Sequence, residues 1–376
     1  MNLNKLLNRN NCTCGKAHVC EIESIYVETN ALSRLTALTS SYNKILIVLD
    51  ENTYSFAGEK VLNYLDETKV VFKKFPSNKQ LIPNEETVSA VNSELNQIDL
   101  IIGVGSGVIQ DVCKYVSFTN NLPYFIIPTA PSMDGYASST AIMTFNGVKT
   151  STSCRPPKAI IADVNLLKNA PFKMIQSGFG DIIGKFSALN DWLLAKLIIN
   201  EYFCPFIYRL TYKTLKKVAK LSNKLKSRDG YAIKKLMEAL IVTGICMSYM
   251  GNSRSASGSE HLLSHFFETV GINNNEPYLP HGINVAYSTY HTMLMREKLL
   301  KLDSFDNPIN VNREVYEASM HKFYGDSAPT LIKMQDDFNK VINVRFNAYK
   351  NFPLKIKKIL NKANLNFLEF YNNYYA

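Results

Sequence analysis

The hydrophobic pattern of this 376-residue chain changes period once, near residue 170, and that change restricts the fold more than any other feature. Before it, short apolar and β-branched runs recur: KILIVLD (44–50), KVVFKKF (69–75), IDLIIGVGSG (98–107), PYFIIPTA (123–130) and KAIIADV (158–164). Helical patterns at 84–96 and 107–118 separate several of them. Buried runs that alternate with helices make a parallel sheet covered by helices. Pro123 and Pro128 bracket one run, as suits strand ends. After residue 170, apolar residues recur at three- and four-residue spacing over 179–199, 205–226, 231–250, 255–270, 281–298, 328–346 and 353–372. Asp229–Gly230, Asn252 and Pro277 act as breaks. The expected architecture is an α/β Rossmann-like domain over 1–170 followed by an all-α domain over 171–376, with the site in the cleft between them.

A length of 376 residues suits two domains at roughly 100–200 residues each. No apolar run approaches the ~18 residues of a membrane span. The first twenty residues lack the apolar core of a signal peptide. Seven cysteines, an odd number in a long chain, argue against a disulfide framework. A cytoplasmic enzyme without a membrane span is the expectation. Cys12, Cys14, His18 and Cys20 cluster near the start. Their spacing could hold zinc but matches no standard finger or ribbon, so reduced thiols in an ordinary segment are expected. The net charge of +10 lies partly in 212–235 and 350–366, where lysines alternate with helically spaced apolar residues. These read as solvated helix faces, not as a nucleic-acid surface, since no nucleic-acid module accompanies them. A positive field of this kind attracts anionic metabolites.

Two turns follow strands in the first part. IIGVGSGVIQD (101–111) puts Gly103, Gly105 and Gly107 between a buried strand and a helix start. Such glycines allow close backbone approach to a pyrophosphate, and helix-start N–H groups bind it. PTAPSMDGYASS (128–139) then carries Thr129, Ser132, Asp134 and Ser138 to the same sheet edge. Asp50 ends an earlier strand, where a carboxylate accepts hydrogen bonds from an adenosine ribose or simply caps a turn.

The second part carries candidate metal ligands. Asp181 and Lys185 lie four apart in SGFGDIIGKFSAL, as do His261 and His265 in SGSEHLLSHFFE. Each pair therefore shares a helix face. His281 follows Pro280 in LPHGINVAY. One carboxylate and two imidazoles from three segments, Asp181, His261 and His281, suit a catalytic divalent cation with open positions.

GVGSGVIQD, PTAPSMDGYASS, GFGDIIGK, SGSEHLLSH and PHGINVAY, in this order over about residues 40–295, resemble the glycerol-1-phosphate dehydrogenase family. That family belongs to the superfamily of iron-type alcohol dehydrogenases, glycerol dehydrogenases and 3-dehydroquinate synthases. The resemblance implies a dehydroquinate synthase-like fold and NAD(P)-linked reduction of dihydroxyacetone phosphate to sn-glycerol-1-phosphate. It implies Asp181, His261 and His281 as metal ligands, for zinc first and nickel or iron as alternatives. His265 and Asp134 match substrate contacts. Gly103, Gly105, Ser106, Gly107, Asp111, Thr129, Ser132 and Ser138 match the dinucleotide set, with Asp50 added from its own position.

Lys185 departs from the iron-type alcohol dehydrogenases, where a histidine ligand typically stands four residues after the aspartate. An ammonium there is expected to pair with the substrate phosphate or with Asp181, and Arg254 is a second phosphate candidate. The competing readings are a dehydrogenase of an uncharged polyol such as glycerol, a cyclising lyase like 3-dehydroquinate synthase, and a non-catalytic protein on the same fold. The lyase family normally has glutamate where Asp181 stands. The expected partner is a small phosphorylated substrate, without nucleic acid, and a homo-oligomer is left open. The segment after about residue 300 carries no motif.

Overall fold

A computed structural model describes residues 2–274, 276, 279–302, 312–339, 347 and 350–374. Pro277 and the end of the helical pattern at 340–346 lie outside the described residues. The chain opens with a small antiparallel pair, β1 (Asn8–Arg9) and β2 (His18–Val19). A six-stranded sheet follows, built from β3 (Ser24–Glu28), β4 (Ile45–Asp50), β5 (Val70–Phe75), β6 (Leu100–Gly105), β7 (Tyr124–Pro128) and β10 (Ala159–Asp163). β8 (Thr140–Phe145) and β9 (Val148–Ser153) form a separate antiparallel hairpin.

The sheet order is β3-β10-β7-β6-β4-β5, and every pair is parallel. All six residues of β6 and all five of β7 and β10 are buried, as continuous apolar runs require when both faces are covered. Each of the five runs read from sequence contains one of these strands. β3 and the β8–β9 hairpin were not among them, because their burial alternates or their residues are polar. From β4 the chain passes to β5 on one side and then to β6 on the other. The carboxyl ends of β4 and β6 therefore flank a switch point, where open α/β sheets bind ligands.

α1 (Glu85–Asn92) and α2 (Gly107–Thr119) precede β6 and β7 respectively. Beyond Asp163 the described residues contain no strand. The main helices are α3 (Phe172–Ile199), α4 (Pro205–Ala219), α5 (Gly230–Met250), α6 (Ser259–Asn273), α7 (His281–Leu300), α8 (Arg313–Tyr324), α9 (Ala328–Asn339) and α10 (Pro353–Tyr374). α3 starts seven residues before the periodic pattern does, and α8 had no sequence signal assigned to it. No helix among the described residues is long and apolar enough to cross a membrane.

Glycines set how closely the site-bearing segments meet. A Cβ on Gly282, in the first turn of α7, would lie 1.7 Å from the Ser177 carbonyl oxygen of α3. On Gly178 it would lie 1.8 Å from the Pro131 carbonyl oxygen. Ser177 Oγ ties the three segments together, donating to the Ser132 carbonyl at 2.9 Å and accepting from Gly282 N at 3.0 Å. Gly282→Ala is thus expected to push α7 from α3 and to destabilise by about 1–3 kcal/mol or more. Thermal unfolding checks this.

Candidate active site

The glycine turn after β6 meets the 128–139 turn directly. Gly105 pairs with Pro128, and Thr129 N donates to the Gly105 carbonyl at 3.0 Å. A Cβ on Gly105 would strike Ile109 at 2.7 Å, so this glycine lets α2 fold back onto its own strand. A Cβ on Gly107 would meet nothing closer than Met133 Cγ at 3.9 Å. The chain's own packing therefore leaves room above Gly107. Ser106 stands at the α2 N-cap, but its hydroxyl makes no capping bond, so the first-turn N–H groups keep their capacity for an anion. Asp50 caps the turn after β4: its carboxylate accepts from Thr53 N at 2.7 Å and Thr53 Oγ1 accepts from Asp50 N.

Two members of the predicted dinucleotide set are occupied by the protein itself. Ser138 is 1 % exposed and its hydroxyl lies 2.8 Å from Lys114 Nζ. Lys114 also donates to the carbonyls of Gly135 and Thr140. Ser138 therefore serves a buried knot that shapes the turn, in place of the expected open contact. Ser132 is buried as well, with its carbonyl taken by Ser177. Asp111 is half-buried on α2, and burial pushes its carboxyl up to about 6.

Asp181, His261 and His281 converge. Their candidate ligand atoms all lie within 4.8 Å of one another, with His261 Nε2 3.8 Å from Asp181 Oδ1. Each imidazole is fixed from behind by a buried carboxylate. His261 Nδ1 is 2.8 Å from Glu260 Oε1, and His281 Nδ1 is 3.1 Å from Glu268 Oε1. A carboxylate on Nδ1 sets the tautomer that leaves the Nε2 lone pair free. Glu260 and Glu268 are candidate site residues the sequence reading passed over. Each lies in the α6 segment already singled out, so a carboxylate partner for each histidine could have been sought there.

Lys185 is completely buried between two acids, contacting Asp181 Oδ1 and lying 2.8 Å from Asp134 Oδ2. Of the two partners expected for it, the structure supplies Asp181. Its ammonium is enclosed by these two carboxylates and sealed from solvent. Arg254 is also paired: its guanidinium is held by Glu201 at 2.9 and 3.1 Å and by the Asp191 carbonyl. Burial opposes charge on Asp181, but Lys185, His281 and His261 together hold its carboxyl below the usual range. Asp134 moves the other way, raised by burial and by the neighbouring Asp181.

A basic residue that sequence alone did not flag stands at the edge of this centre. Lys149, on β9, reaches across to Glu268 Oε2 on α6. His265 packs within 6.3 Å, ring to ring, of His261 and within 6.2 Å of His281. Burial and the positive field of Lys149 push its pKa down to about 3, so the ring is neutral.

These donors fit a divalent cation. Nitrogen and oxygen donors of this kind suit zinc, nickel or iron. With neutral imidazoles, the four carboxylates Asp134, Asp181, Glu260 and Glu268 face two ammonium groups, Lys149 and Lys185, leaving two negative charges to be balanced.

Comparison with known proteins bears on the family and the fold. Residues 26–171 match the family model described as iron-containing alcohol dehydrogenase. A Geobacillus thermodenitrificans protein named glycerol-1-phosphate dehydrogenase (NAD(P)+) is 34% identical over 275 residues, 71% of this chain and 68% of that one. A Halalkalibacterium halodurans protein of the same name is 30% identical over 320 residues, covering 81% and 80%. Among solved structures, a glycerol dehydrogenase from Schizosaccharomyces pombe superposes with a TM-score of 0.60 at 16% identity, covering 94% of this chain and 91% of that one. An iron-containing alcohol dehydrogenase from Thermococcus thioreducens gives 0.59 at 18% identity, covering 92% and 98%. The fold is shared with these two structures, and by its sequence relatives the chain belongs to the glycerol-1-phosphate dehydrogenase family.

Proposed function

We propose that this chain reduces dihydroxyacetone phosphate to sn-glycerol-1-phosphate, reversibly, with NAD(P)H and a divalent metal, of which zinc is our choice. The observation that carries the reading is the convergence of Asp181, His261 and His281 with a carboxylate behind each imidazole. We further propose two units divided near residue 170, one for the dinucleotide and one for the metal. Seven free cysteines support a reducing, cytoplasmic setting.

Asp181, His261 and His281 would hold the metal, whose Lewis acidity favours hydride addition to a ketone. A reduced nicotinamide, when bound, would supply that hydride. The chain's own groups do the rest. The open Gly107 turn and the first-turn amides of α2 would receive the pyrophosphate, and Asp50 would offer a carboxylate to the ribose. Lys149 is the cation placed for the substrate phosphate, because it is one-quarter exposed at the site edge while Lys185 is sealed. His265, kept neutral, passes a solvent proton to the product hydroxyl by donating from one ring nitrogen and regaining at the other. Asp134 and Lys185 hold the Asp181 carboxylate in place, and Asp134 borders the substrate.

The direct test is NADH oxidation with dihydroxyacetone phosphate, before and after chelation and with zinc, nickel or iron restored. Turnover that chelation abolishes and metal restores supports the reading. Oxidation of glycerol with NAD, without turnover of the phosphate, would replace it by a polyol dehydrogenase. Phosphate release without change in NADH would indicate a lyase. Lys149→Met is expected to raise KM for dihydroxyacetone phosphate about 10- to 100-fold, the loss of one hydrogen bond to a charged group, with a smaller change in kcat. Uncharged dihydroxyacetone should not feel the substitution, and steady-state kinetics on both ketones checks this.

A further inference from the structure

The N-terminal cysteines and histidine find a fourth partner that sequence spacing hides. Cys12 Sγ lies 3.7 Å from Cys204 Sγ, and His18 Nε2 lies 3.4 Å from Cys14 Sγ and 3.3 Å from Cys204 Sγ. All four atoms lie within 4.8 Å of one another. Cys20, grouped with them in sequence, is turned into the apolar core instead. None of the four belongs to the Asp181 centre.

We propose that Cys12, Cys14, His18 and Cys204 bind a structural zinc ion that fastens the N-terminal segment to the start of α4. The distances match the edges of a tetrahedron. With Zn–S of about 2.3 Å and Zn–N of about 2.05 Å, those edges are about 3.8 Å between sulfurs and about 3.6 Å between sulfur and nitrogen. Three thiolates and one imidazole form a closed set with no open position, which is the pattern of a structural and not a catalytic zinc.

The local backbone is built for the purpose. Gly15 takes a φ of 82°, which glycine adopts without a Cβ penalty, and its N–H donates to the Cys12 carbonyl at 3.0 Å. This turn brings His18 back to the point faced by Cys12 and Cys14. Cys204 stands at the N-cap of α4; burial raises its thiol pKa, but the Ile207 and Phe206 amides lower it and would support a metal-bound thiolate. Tyr202 Oη donates to Cys14 Sγ at 3.2 Å, the outer support a ligating sulfur takes. Phe206 and Tyr249 pack beside the His18 ring, with centroids at 6.1 and 5.0 Å.

Charge agrees as well. A zinc ion with three thiolates and a neutral imidazole carries one net negative charge. Two cations are held close by: Arg9 over the Phe206 ring at 4.2 Å and Lys16 over the Tyr202 ring at 4.0 Å. The segment so fastened leads directly into β3 at the sheet edge, while Cys204 leads into the helices. The ion would therefore stitch the edge of the sheet to the helical part.

Cobalt reports on this site independently of activity, because only sulfur ligands give an intense thiolate-to-cobalt charge-transfer band in the near ultraviolet. The full chain, stripped of metal and loaded with cobalt, is expected to show that band and to take up about two metal equivalents per chain. Asp181→Asn should lose one equivalent and keep the band. Cys14→Ser and Cys204→Ser should each lose the band and unfold at lower temperature, whereas Cys20→Ser should keep it. A wild-type spectrum with no thiolate band overturns the proposal, and does so even if a serine variant fails to fold. A band unchanged in folded Cys204→Ser overturns it equally.

Discussion

Asp181→Asn is expected to remove the metal of the proposed active site and to lower kcat/KM for dihydroxyacetone phosphate by roughly a thousandfold or more. The reasoning starts from the donor set. Asp181 is the one carboxylate among the three converging donors, and an amide oxygen carries no charge and binds a divalent cation far more weakly at such a site. A Lewis acid is worth several kcal/mol of transition-state stabilisation, and each 1.4 kcal/mol is about tenfold in rate. Stability should fall too, through the lost pairing with buried Lys185 and the lost metal. The fold should persist, because Asp134 still faces Lys185 and asparagine can still accept from Asp134 N, which now bonds Asp181 Oδ2 at 2.9 Å. His265→Ala is the control: it should retain the metal while losing activity, since its proposed part is with the substrate. Metal analysis of the two variants separates these outcomes. Asp181→Asn that kept both its metal and its turnover would remove the basis of the proposed chemistry.

The sheet was legible because each of its core strands is a continuous apolar run, and the helices because theirs repeat every three or four residues. The three converging residues Asp181, His261 and His281 were legible because each sits in a short, distinctive segment. What escaped falls into two physical kinds. Cys204 is separated from Cys12 by nearly two hundred residues, and no periodicity connects them; only the fold does. Ser177, Lys114 and Lys149 escaped because serine and lysine are ordinary surface residues in sequence. Burial alone turns Lys114 into the anchor of the 128–139 turn. Ser138 erred in the opposite direction, looking like an open hydroxyl when Lys114 had claimed it. Asp50 was read as either a cap or a ribose contact; the capping box is there, and the ribose contact remains a proposal.

Lys185→Met separates structural from substrate-binding roles more sharply than any other substitution. The ammonium is fully buried against Asp181 and Asp134, and both acids hold it in its charged form against the cost of burial. Removing it leaves two close carboxylates without their cation. Breaking a buried pair in this way costs about 3–5 kcal/mol, so metal-free Lys185→Met should unfold several degrees below the metal-free wild type. A divalent cation at Asp181 supplies the missing positive charge. It binds the native state and not the unfolded chain, so zinc should restore much of the lost stability, more than it adds to the wild type. Thermal unfolding of both proteins, with and without zinc, measures this coupling. A phosphate-binding lysine behaves otherwise: its loss would leave stability nearly intact and raise KM for dihydroxyacetone phosphate but not for dihydroxyacetone, the pattern expected of Lys149→Met. Should Lys185→Met give that kinetic pattern with unchanged unfolding, the ammonium would have to leave its two carboxylates when substrate binds, and the closed cage around it would be a resting state.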